Sequence, residues 1–153
     1  MMHIERATPE DAEAILHLQY SAYQREAILY DDWSIPPLTQ TLGQLLAEFD
    51  DHLVLKSTHA GQLIGSVRAH RVAGTGHIGR LMVAPEQQGQ GIGMKLMAAI
   101  ETALVSVTRY ELFTGDRSAR NLALYRRLGY QPFQSVHLNP HVTLVYLEKV
   151  VGQ

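Results

Sequence analysis

The segment QQGQGIG, residues 87–93, places three glycines at alternate positions directly before an apolar pattern with helical spacing. Glycine allows positive φ angles and lets another group approach the backbone closely. At the start of a helix, unpaired N–H groups and the positive end of the helix dipole attract anions, so such a turn suits a phosphate or pyrophosphate. The alternative is a tight strand-to-helix turn that holds no ligand.

Two widespread phosphate-binding patterns do not fit this segment. A P-loop requires G-x-x-x-x-G-K-[ST], whereas Lys95 here follows Met94 and precedes Leu96. A dinucleotide-binding turn requires G-x-G-x-x-G at the start of a βαβ unit, but residues 89–93 read G-x-G-x-G, with Leu96 rather than glycine after them. The spacing therefore argues against both of these nucleotide sites.

A second group of polar residues lies in the segment NLALYRRLGY. Asn121 and Tyr125 are four residues apart, so a helix would place both on one face. Ser118 is a candidate N-cap for this helix, and Gly129 is a candidate residue at its C-terminus. The segment therefore predicts a short helix that presents an amide and a phenol together.

The first half of the chain predicts one strand, two helices and then three strands. Residues 3–7 alternate weakly as in a strand, and Thr8 with Pro9 marks the start of a long helix. The segment LYDDWSIPPLTQ is interpreted as an ordered loop before a second apolar helical run, Leu42 to Phe49. From Leu53, the segments LVLKST, QLIGSVRAHRV and HIGRLMVAP, separated by short turns, predict an antiparallel meander.

The second half predicts a helix, a strand, a helix and two final strands. After the glycines, apolar residues recur with a spacing near 3.6, as on an amphipathic helix. They are Ile92, Leu96, Met97, Ile100, Leu104 and Val107. RYELFT is the next strand, and the last two lie near Gln134 to His137 and Val142 to Leu147. We therefore expect an α/β (α+β) fold: a mixed, mostly antiparallel sheet of six to seven strands with about four helices on its faces.

The composition is typical of one soluble domain spanning residues 1–153. A net charge of −2 gives no general attraction to nucleic acid, and the absence of cysteine leaves no disulfide or thiolate metal site. His137 and His141 flank Pro140 without further ligands nearby, so no metal site is predicted. Because no basic leader or membrane-length apolar segment is present, we expect a cytoplasmic protein that is not bound to a membrane.

The two motif-bearing segments resemble the signatures of the GCN5-related N-acetyltransferase (GNAT) family. Residues 88–93 match its motif Q/R-x-x-G-x-G/A directly after the segment LMV. The segment NLALYRRLGY is similar to its second motif, N-x-x-A/L-x-x-L/F-Y-x-x-x-G-F/Y, through Asn121, Tyr125, Gly129 and Tyr130. The resemblance covers about residues 77–133. It implies the GNAT fold, with a splay between the fourth and fifth strands, and acetyl-CoA as co-substrate.

The resemblance also implies which residues bind acetyl-CoA. The main chain of Leu81, Met82 and Val83 would bond the pantetheine arm, and the N–H of Val83 would stabilise the oxyanion. Asn121 would hydrogen-bond the same arm, unless it is a solvent-facing residue of the first helical turn. The backbone amides around the pyrophosphate would be those of Gln88, Gly89, Gln90, Gly91, Ile92, Gly93 and Met94. Gln88 stands where the family often has arginine, so one charge near the phosphates is missing.

Acetyl transfer to an amine requires a deprotonated nucleophile, a donor to the oxyanion and a proton for the departing thiolate. The resemblance implies that Tyr125 supplies this proton; the alternative is a core aromatic residue whose hydroxyl reaches water. His77 occupies a strand position at which many family members have a glutamate base. An imidazole is able to accept a proton at neutral pH, although His77 could equally be structural. Glu111 and Asp116 are the other candidate bases.

On the acceptor side, the resemblance places the loop after the first helix beside the amine. This loop includes Tyr30, Asp31, Asp32 and Trp33, which would suit a cationic acceptor, unless it is simply a solvated acidic turn. Arg68, in the segment GSVRAH, is a further candidate; the alternative is a surface or ion-paired arginine.

The sequence therefore predicts an N-acetyltransferase that moves acetyl from acetyl-CoA to a primary amine of a small molecule or peptide by direct attack. The alternative is a noncatalytic acyl-CoA-binding or regulatory module with the same fold. The resemblance also allows a homodimer, although the sequence contains no interface signature.

Overall fold

The computed structural model describes residues 2–151, which form seven strands and six α-helices. The strands are β1 (Met2–Arg6), β2 (Leu53–His59), β3 (Gln62–Val72), β4 (Thr75–Val83), β5 (Arg109–Gly115), β6 (Gln131–Asn139) and β7 (Val142–Val150). The helices are α1 (Ala12–Ala22), α2 (Gln24–Tyr30), α3 (Pro36–Thr39), α4 (Leu42–Glu48), α5 (Ile92–Ala103) and α6 (Ala119–Arg127).

All seven strands belong to one sheet with the order β1-β2-β3-β4-β5-β7-β6. Only β4 and β5 are parallel, and they pair at just three positions: Thr75 with Arg109, Gly76 with Tyr110 and His77 with Glu111. Beyond His77 the two strands no longer pair, whereas β4 continues to pair with β3 as far as Val83. The prediction of a mixed, mostly antiparallel sheet with a splay between its fourth and fifth strands is confirmed.

Helices cover both faces of this sheet. Adjacent residues of β2 show the two cores, because successive strand side chains point to opposite faces. Leu55 packs in the core that contains Leu96 and Ile100 of α5, while Val54 packs in the core that contains Ile15 of α1. Burial of each such side chain contributes roughly 1.5–3 kcal/mol, so both layers hold the strands in place.

Arg80 interrupts the regular pairing of β4. Ser66 pairs with Met82 and Arg68 pairs with Gly79, so two residues of β4, Arg80 and Leu81, oppose the single residue Val67 of β3. Arg80 has a φ angle of 51°, which is unusual for a residue with a side chain. This bulge lies immediately beyond the point where β4 and β5 separate.

The N-terminal helical region differs from the prediction in two places. The long first helix is divided at Tyr23, where ψ is 0°, into α1 and α2. The segment interpreted as a loop contains α3, because Pro36 and Pro37 occupy the first helical turn, where proline needs no N–H partner. Strands β6 and β7 also extend beyond the predicted bounds, because their pairing runs from Gln131 opposite Glu148 to Asn139 opposite Val142.

Candidate functional site

The glycine turn, residues 88–94, joins the end of β4 to α5 through backbone conformations that favour glycine. Gly89 and Gly91 have φ angles of 82° and 81°, and Gly91 is the N-cap of α5. A Cβ atom at either position would meet no atom within 4 Å. The need for glycine therefore comes from the left-handed backbone, and the space in front of the turn is open.

The N–H groups of this turn are available to an anion. The N–H of Lys95 donates to the carbonyl of Gly91 at 3.2 Å and so begins the hydrogen bonding of α5. Within residues 2–151, the N–H groups from Gly89 to Met94 donate to no protein acceptor. They lie at the positive end of α5, which is the arrangement that binds phosphate oxygens.

Gln88 is held between two arginines. Its Oε1 accepts a hydrogen bond of 3.0 Å from Arg25 Nη1 of α2 and one of 3.5 Å from Arg120 Nη1 of α6. Its Nε2 donates to the carbonyl of Val83 at 3.2 Å. Two cations therefore stand beside the position at which the sequence lacks one, and neither was among the predicted site residues.

The glycine-turn cleft is a cavity of about 540 Å³ bounded by α2, the end of β4, the glycine turn and α6. All of the predicted cofactor-binding residues line it except Gln90 and Tyr125. Those that line it are Leu81, Met82, Val83, Gln88, Gly89, Gly91, Ile92, Gly93, Met94 and Asn121. A Cβ atom at Gly93 would lie 3.6 Å from Leu124 and 3.9 Å from Leu81, between β4 and α6. The structure thus brings the strand, the turn and the helix predicted for the cofactor around one cavity.

Tyr125 is buried behind this cleft. Its exposed fraction is 6%, its ring contacts that of Tyr130 edge to face, and its hydroxyl has no hydrogen-bond partner within residues 2–151. Burial raises the pKa of Tyr125 well above its ordinary value, and Tyr23 and Glu26 act in the same direction. The phenol therefore keeps its proton at neutral pH. Tyr23, which sequence reasoning missed, lines the cleft and donates to the carbonyl of Leu81 at 3.1 Å.

Glu26 of α2 ties Asn121 into the wall of the cleft. Asn121 Nδ2 lies 3.2 Å from Glu26 Oε1 and 3.3 Å from Thr114 Oγ1. The hydroxyl of Ser118 donates to Glu26 as well. These bonds join α2, the end of β5 and the start of α6, so they fix the position of Asn121 relative to the glycine turn.

A second cavity, the histidine cleft, lies along β3, β4, β5 and β7 and has a volume of about 360 Å³. Its lining includes His52, His70, His77, Glu111 and Arg80. Strand β4 contributes His77 to Arg80 to this cleft and Leu81 to Val83 to the glycine-turn cleft. The two cavities therefore meet the same strand at successive positions beyond the last β4–β5 pair.

His77 lies at the point where β4 and β5 separate. Its Nδ1 is 3.7 Å from Glu111 Oε2, and its ring stacks on that of His70 with centroids 5.1 Å apart. Burial, followed by the neighbouring His52 and His77, lowers the pKa of His70. Asp116, the other reserve base, lines neither cavity.

Arg68 is almost completely buried, with an exposed fraction of 1%, in the wall of the histidine cleft. Its Nε donates to Glu48 at 2.8 Å, and its Nη2 donates to Gln40 at 2.8 Å and to Gln19 at 3.1 Å. Burial lowers the pKa of Arg68, and the Glu48 carboxylate opposes this effect. A buried charge needs such partners, because its desolvation is costly.

The loop residues predicted for the acceptor line neither cavity. Tyr30 is buried, its hydroxyl lies 2.7 Å from Ser118 Oγ, and the Arg117 guanidinium stacks over its ring at 4.8 Å. Asp32 accepts hydrogen bonds from Ser34 and from Asn139. Trp33 is 57% exposed. The structure therefore does not bring this loop together with His77 or Arg68.

Two further features of residues 2–151 bear on function. In that part of the chain no group of three or more histidine, aspartate or glutamate side chains is arranged to hold a metal ion. No helix formed by these residues has both the length and the apolar character needed to span a membrane.

Solved structures of similar fold cover nearly the whole chain. PaiA N-acetyltransferase from Thermoplasma acidophilum, in complex with coenzyme A, is 17% identical with a TM-score of 0.78 and covers 98% of this chain and 99% of its own. The ribosomal-protein-S18-alanine N-acetyltransferase from Escherichia coli is 16% identical with a TM-score of 0.80, and the match covers 100% of this chain and 96% of that protein. YncA from Salmonella typhimurium, with its cofactor acetyl-CoA, is 18% identical with a TM-score of 0.78, and the match covers 100% of this chain and 95% of that protein. At these identities the likeness establishes the fold.

The family follows from the sequence match. Residues 46–132, more than half of the chain, match the family model described as the acetyltransferase (GNAT) domain. The matched range runs from α4 to the start of β6 and so includes the β4–β5 splay, the glycine turn and α6. This chain therefore belongs to the GNAT acetyltransferase family.

Proposed function

We propose that this protein transfers the acetyl group of acetyl-CoA to a primary amine of a small molecule or peptide. One observation carries the proposal: the unpaired N–H groups of the glycine turn open into a cavity at the splay between β4 and β5. Membership of the GNAT family supports it, as do the ligands of two similar structures, PaiA with coenzyme A and YncA with acetyl-CoA.

The residues of the glycine-turn cleft fit acetyl-CoA. The free N–H groups from Gly89 to Met94 would bind the pyrophosphate, and Arg25 and Arg120 would supply the positive charge that Gln88 lacks. The edge of β4 from Leu81 to Val83 has no strand partner on the β5 side, so its main chain would bond the pantetheine arm. Bound acetyl-CoA supplies the thioester that the acceptor amine attacks.

The chain's own residues would handle the protons and the developing charge. The N–H of Val83 would donate to the carbonyl oxygen of the thioester. The buried phenol of Tyr125 would hold the proton that the sulfur of coenzyme A needs when it leaves. His77, facing the histidine cleft beside Glu111, would accept a proton from the amine, directly or through a water. Asn121, fixed by Glu26, would hydrogen-bond the pantetheine arm.

Two measurements test this function. The first is a thermal-unfolding titration with acetyl-CoA, with ATP and NAD as comparison ligands. Acetyl-CoA at a concentration of about 100 times its dissociation constant should stabilise the folded protein by about 2.7 kcal/mol. Release of free thiol from acetyl-CoA, followed with a panel of amines, should then identify turnover. No stabilisation at millimolar acetyl-CoA would refute the cofactor assignment. Stabilisation without thiol release from any amine would instead favour a noncatalytic acyl-CoA-binding module.

A further inference from the structure

Two cationic side chains in the wall of the histidine cleft have N–H groups without acceptors. Arg68 Nη1 and Arg80 Nε are both buried and have no hydrogen-bond partner in the described part of the chain. Leaving a buried donor unpaired costs free energy, so such groups are normally satisfied by protein, water or ligand. Their presence on one cavity wall indicates a place for an acceptor atom.

The charges around this cleft leave one cation without a counter-ion. Arg68 pairs with Glu48 at 2.8 Å, and Glu111 pairs with Arg109 at 2.8 Å. The side chain of Arg80 has no ion pair and no hydrogen bond to any of residues 2–151. The two carboxylates in the lining of the cleft, Glu48 and Glu111, are therefore already paired with other arginines, and the positive charge of Arg80 is not neutralised.

The backbone at Arg80 adds independent weight. Its φ of 51° belongs to the left-handed region, where a residue with a side chain is destabilised by roughly 1–2 kcal/mol. A bulge of this kind redirects the side chain that it carries, and strained backbone of this kind is concentrated at functional sites. Here the bulge places Arg80 next to Leu81, where β4 passes from the histidine cleft to the glycine-turn cleft.

We infer that the acceptor amine carries a carboxylate, which binds to Arg80 and Arg68 in the histidine cleft, so that the acceptor is an amino acid or a molecule of that kind. This inference rests on the proposed acetyltransferase function. A guanidinium fork matches the two oxygens of a carboxylate, and a cavity of about 360 Å³ is the size of a small-molecule site.

The position of Arg80 is suitable for this role. Arg80 is followed directly by Leu81, the first residue of β4 that lines the glycine-turn cleft. Tyr23 lines the glycine-turn cleft and bonds Leu81. A carboxylate held by Arg80 would thus leave the amine of the same small molecule close to the edge of β4 where the thioester would lie.

The test compares L-α-amino acids with their α-carboxamides, which keep the amine and lose the negative charge. Thiol release from acetyl-CoA is measured for both sets, with polyamines and short peptides alongside. We expect kcat/KM to favour the carboxylates by about tenfold or more, the value of a charge-assisted hydrogen bond. Arg80→Asn, chosen because asparagine tolerates a left-handed backbone, should abolish this preference by raising KM for the carboxylates alone.

Control variants separate charge from structure. Arg80→Lys should keep part of the preference, and Arg126→Gln, an exposed residue of α6 away from both cavities, should keep all of it. In the unmodified protein, N-acetyl amino acids should inhibit more strongly than their carboxamides, which tests the same contact if the Arg80 variants fail to fold.

The outcomes distinguish this inference from the function on which it rests. Equal turnover of carboxylates and carboxamides, or turnover of polyamines and peptides without any amino acid, overturns the inference and leaves the acetyltransferase function intact. No turnover of any amine counts against both.

Discussion

Arg25 Nη1 of α2 donates a 3.0 Å hydrogen bond to Gln88 Oε1, across 63 positions of sequence, and so joins the first helical region to the glycine turn. Arg120 of α6 reaches the same oxygen at 3.5 Å. The turn is therefore flanked by two cations that come from other elements. Under the proposed function, their charge would compensate for the neutral side chain at position 88.

Removing either cation should weaken the binding of acetyl-CoA. We expect Arg25→Gln and Arg120→Gln each to raise KM for acetyl-CoA roughly two- to fivefold with little change in kcat, because exposed charge pairs are worth about 1 kcal/mol or less. High salt should reduce the difference. Arg126→Gln on the outer side of α6 is the matched control. An unchanged KM in the double variant would contradict this role.

Tyr125→Phe should lower kcat by about 100-fold, the usual lower value for loss of a general acid. Because burial raises the pKa of Tyr125, the unmodified enzyme should show no loss of kcat from this group between pH 6 and about 10. Tyr110→Phe is the control, since it removes a buried tyrosine hydroxyl that bonds the Glu101 carbonyl and lines neither cavity. Thiol release at saturating substrates measures both. Equal kcat for Tyr125→Phe and the unmodified enzyme would exclude the assignment.

His77→Gln should lower kcat/KM, because glutamine cannot accept the proton that the proposed mechanism passes from the amine to the imidazole. His70→Gln serves as comparison, because His70 stacks on His77 without contacting Glu111. A kcat/KM equal to that of the unmodified enzyme would move the role to a water or to Glu111.

Gly91→Ala should destabilise the fold by about 1–2 kcal/mol, because alanine is disfavoured at a φ of 81°. Gly43 provides the matched control: it lies inside α4, and a Cβ there also meets no atom within 4 Å. Gly43→Ala should therefore stabilise the fold by about 0.5–1 kcal/mol. Urea unfolding at constant pH measures both. Equal shifts of the two midpoints would show that backbone conformation is not the cause.

Stability should fall as the pH rises above about 10. Burial, followed by the hydrogen bond to Glu101, raises the pKa of Tyr130 in the folded state. The folded protein therefore retains more protons than the unfolded chain at high pH, so this contribution is fully present below about pH 10 and is lost above it. Tyr130→Phe should show a shallower decline in urea unfolding between pH 9 and 11. Tyr146→Phe, whose hydroxyl bonds nothing within residues 2–151, should decline as steeply as the unmodified protein.

The order of elements was predictable because the local signals agree with one another. Short β-type segments separated by two-residue turns specify the meander from β2 to β4, and the 3.6 spacing from Ile92 onward specifies α5. The turn of α3 was missed because paired prolines indicate a loop as readily as a helix start. The division at Tyr23 has no local signal, since the apolar pattern continues across it.

Some residues of the candidate site were predictable from local sequence patterns, and others were not. The glycine turn and Asn121 are visible as motifs because each belongs to a pattern of residues within one short segment. Glu26, which contacts Asn121 across 95 positions, and Arg80, which gains its importance from a bulge opposite Val67, are determined by the assembled sheet. No periodic pattern marks such residues, because their partners come from distant parts of the chain.

Strands β4 and β5 share three residue pairs, fewer than any other two neighbouring strands within residues 2–151. Strands β1 to β4 and strands β5 to β7 are each paired along most of their lengths, so the sheet consists of two well-paired parts joined at the His77–Glu111 end. A ligand bonded to the free edge of β4 would fill the gap between the two strands and add contacts that connect the two parts of the sheet. Hydrogen exchange should then slow in both halves on its binding, well beyond the residues that it touches.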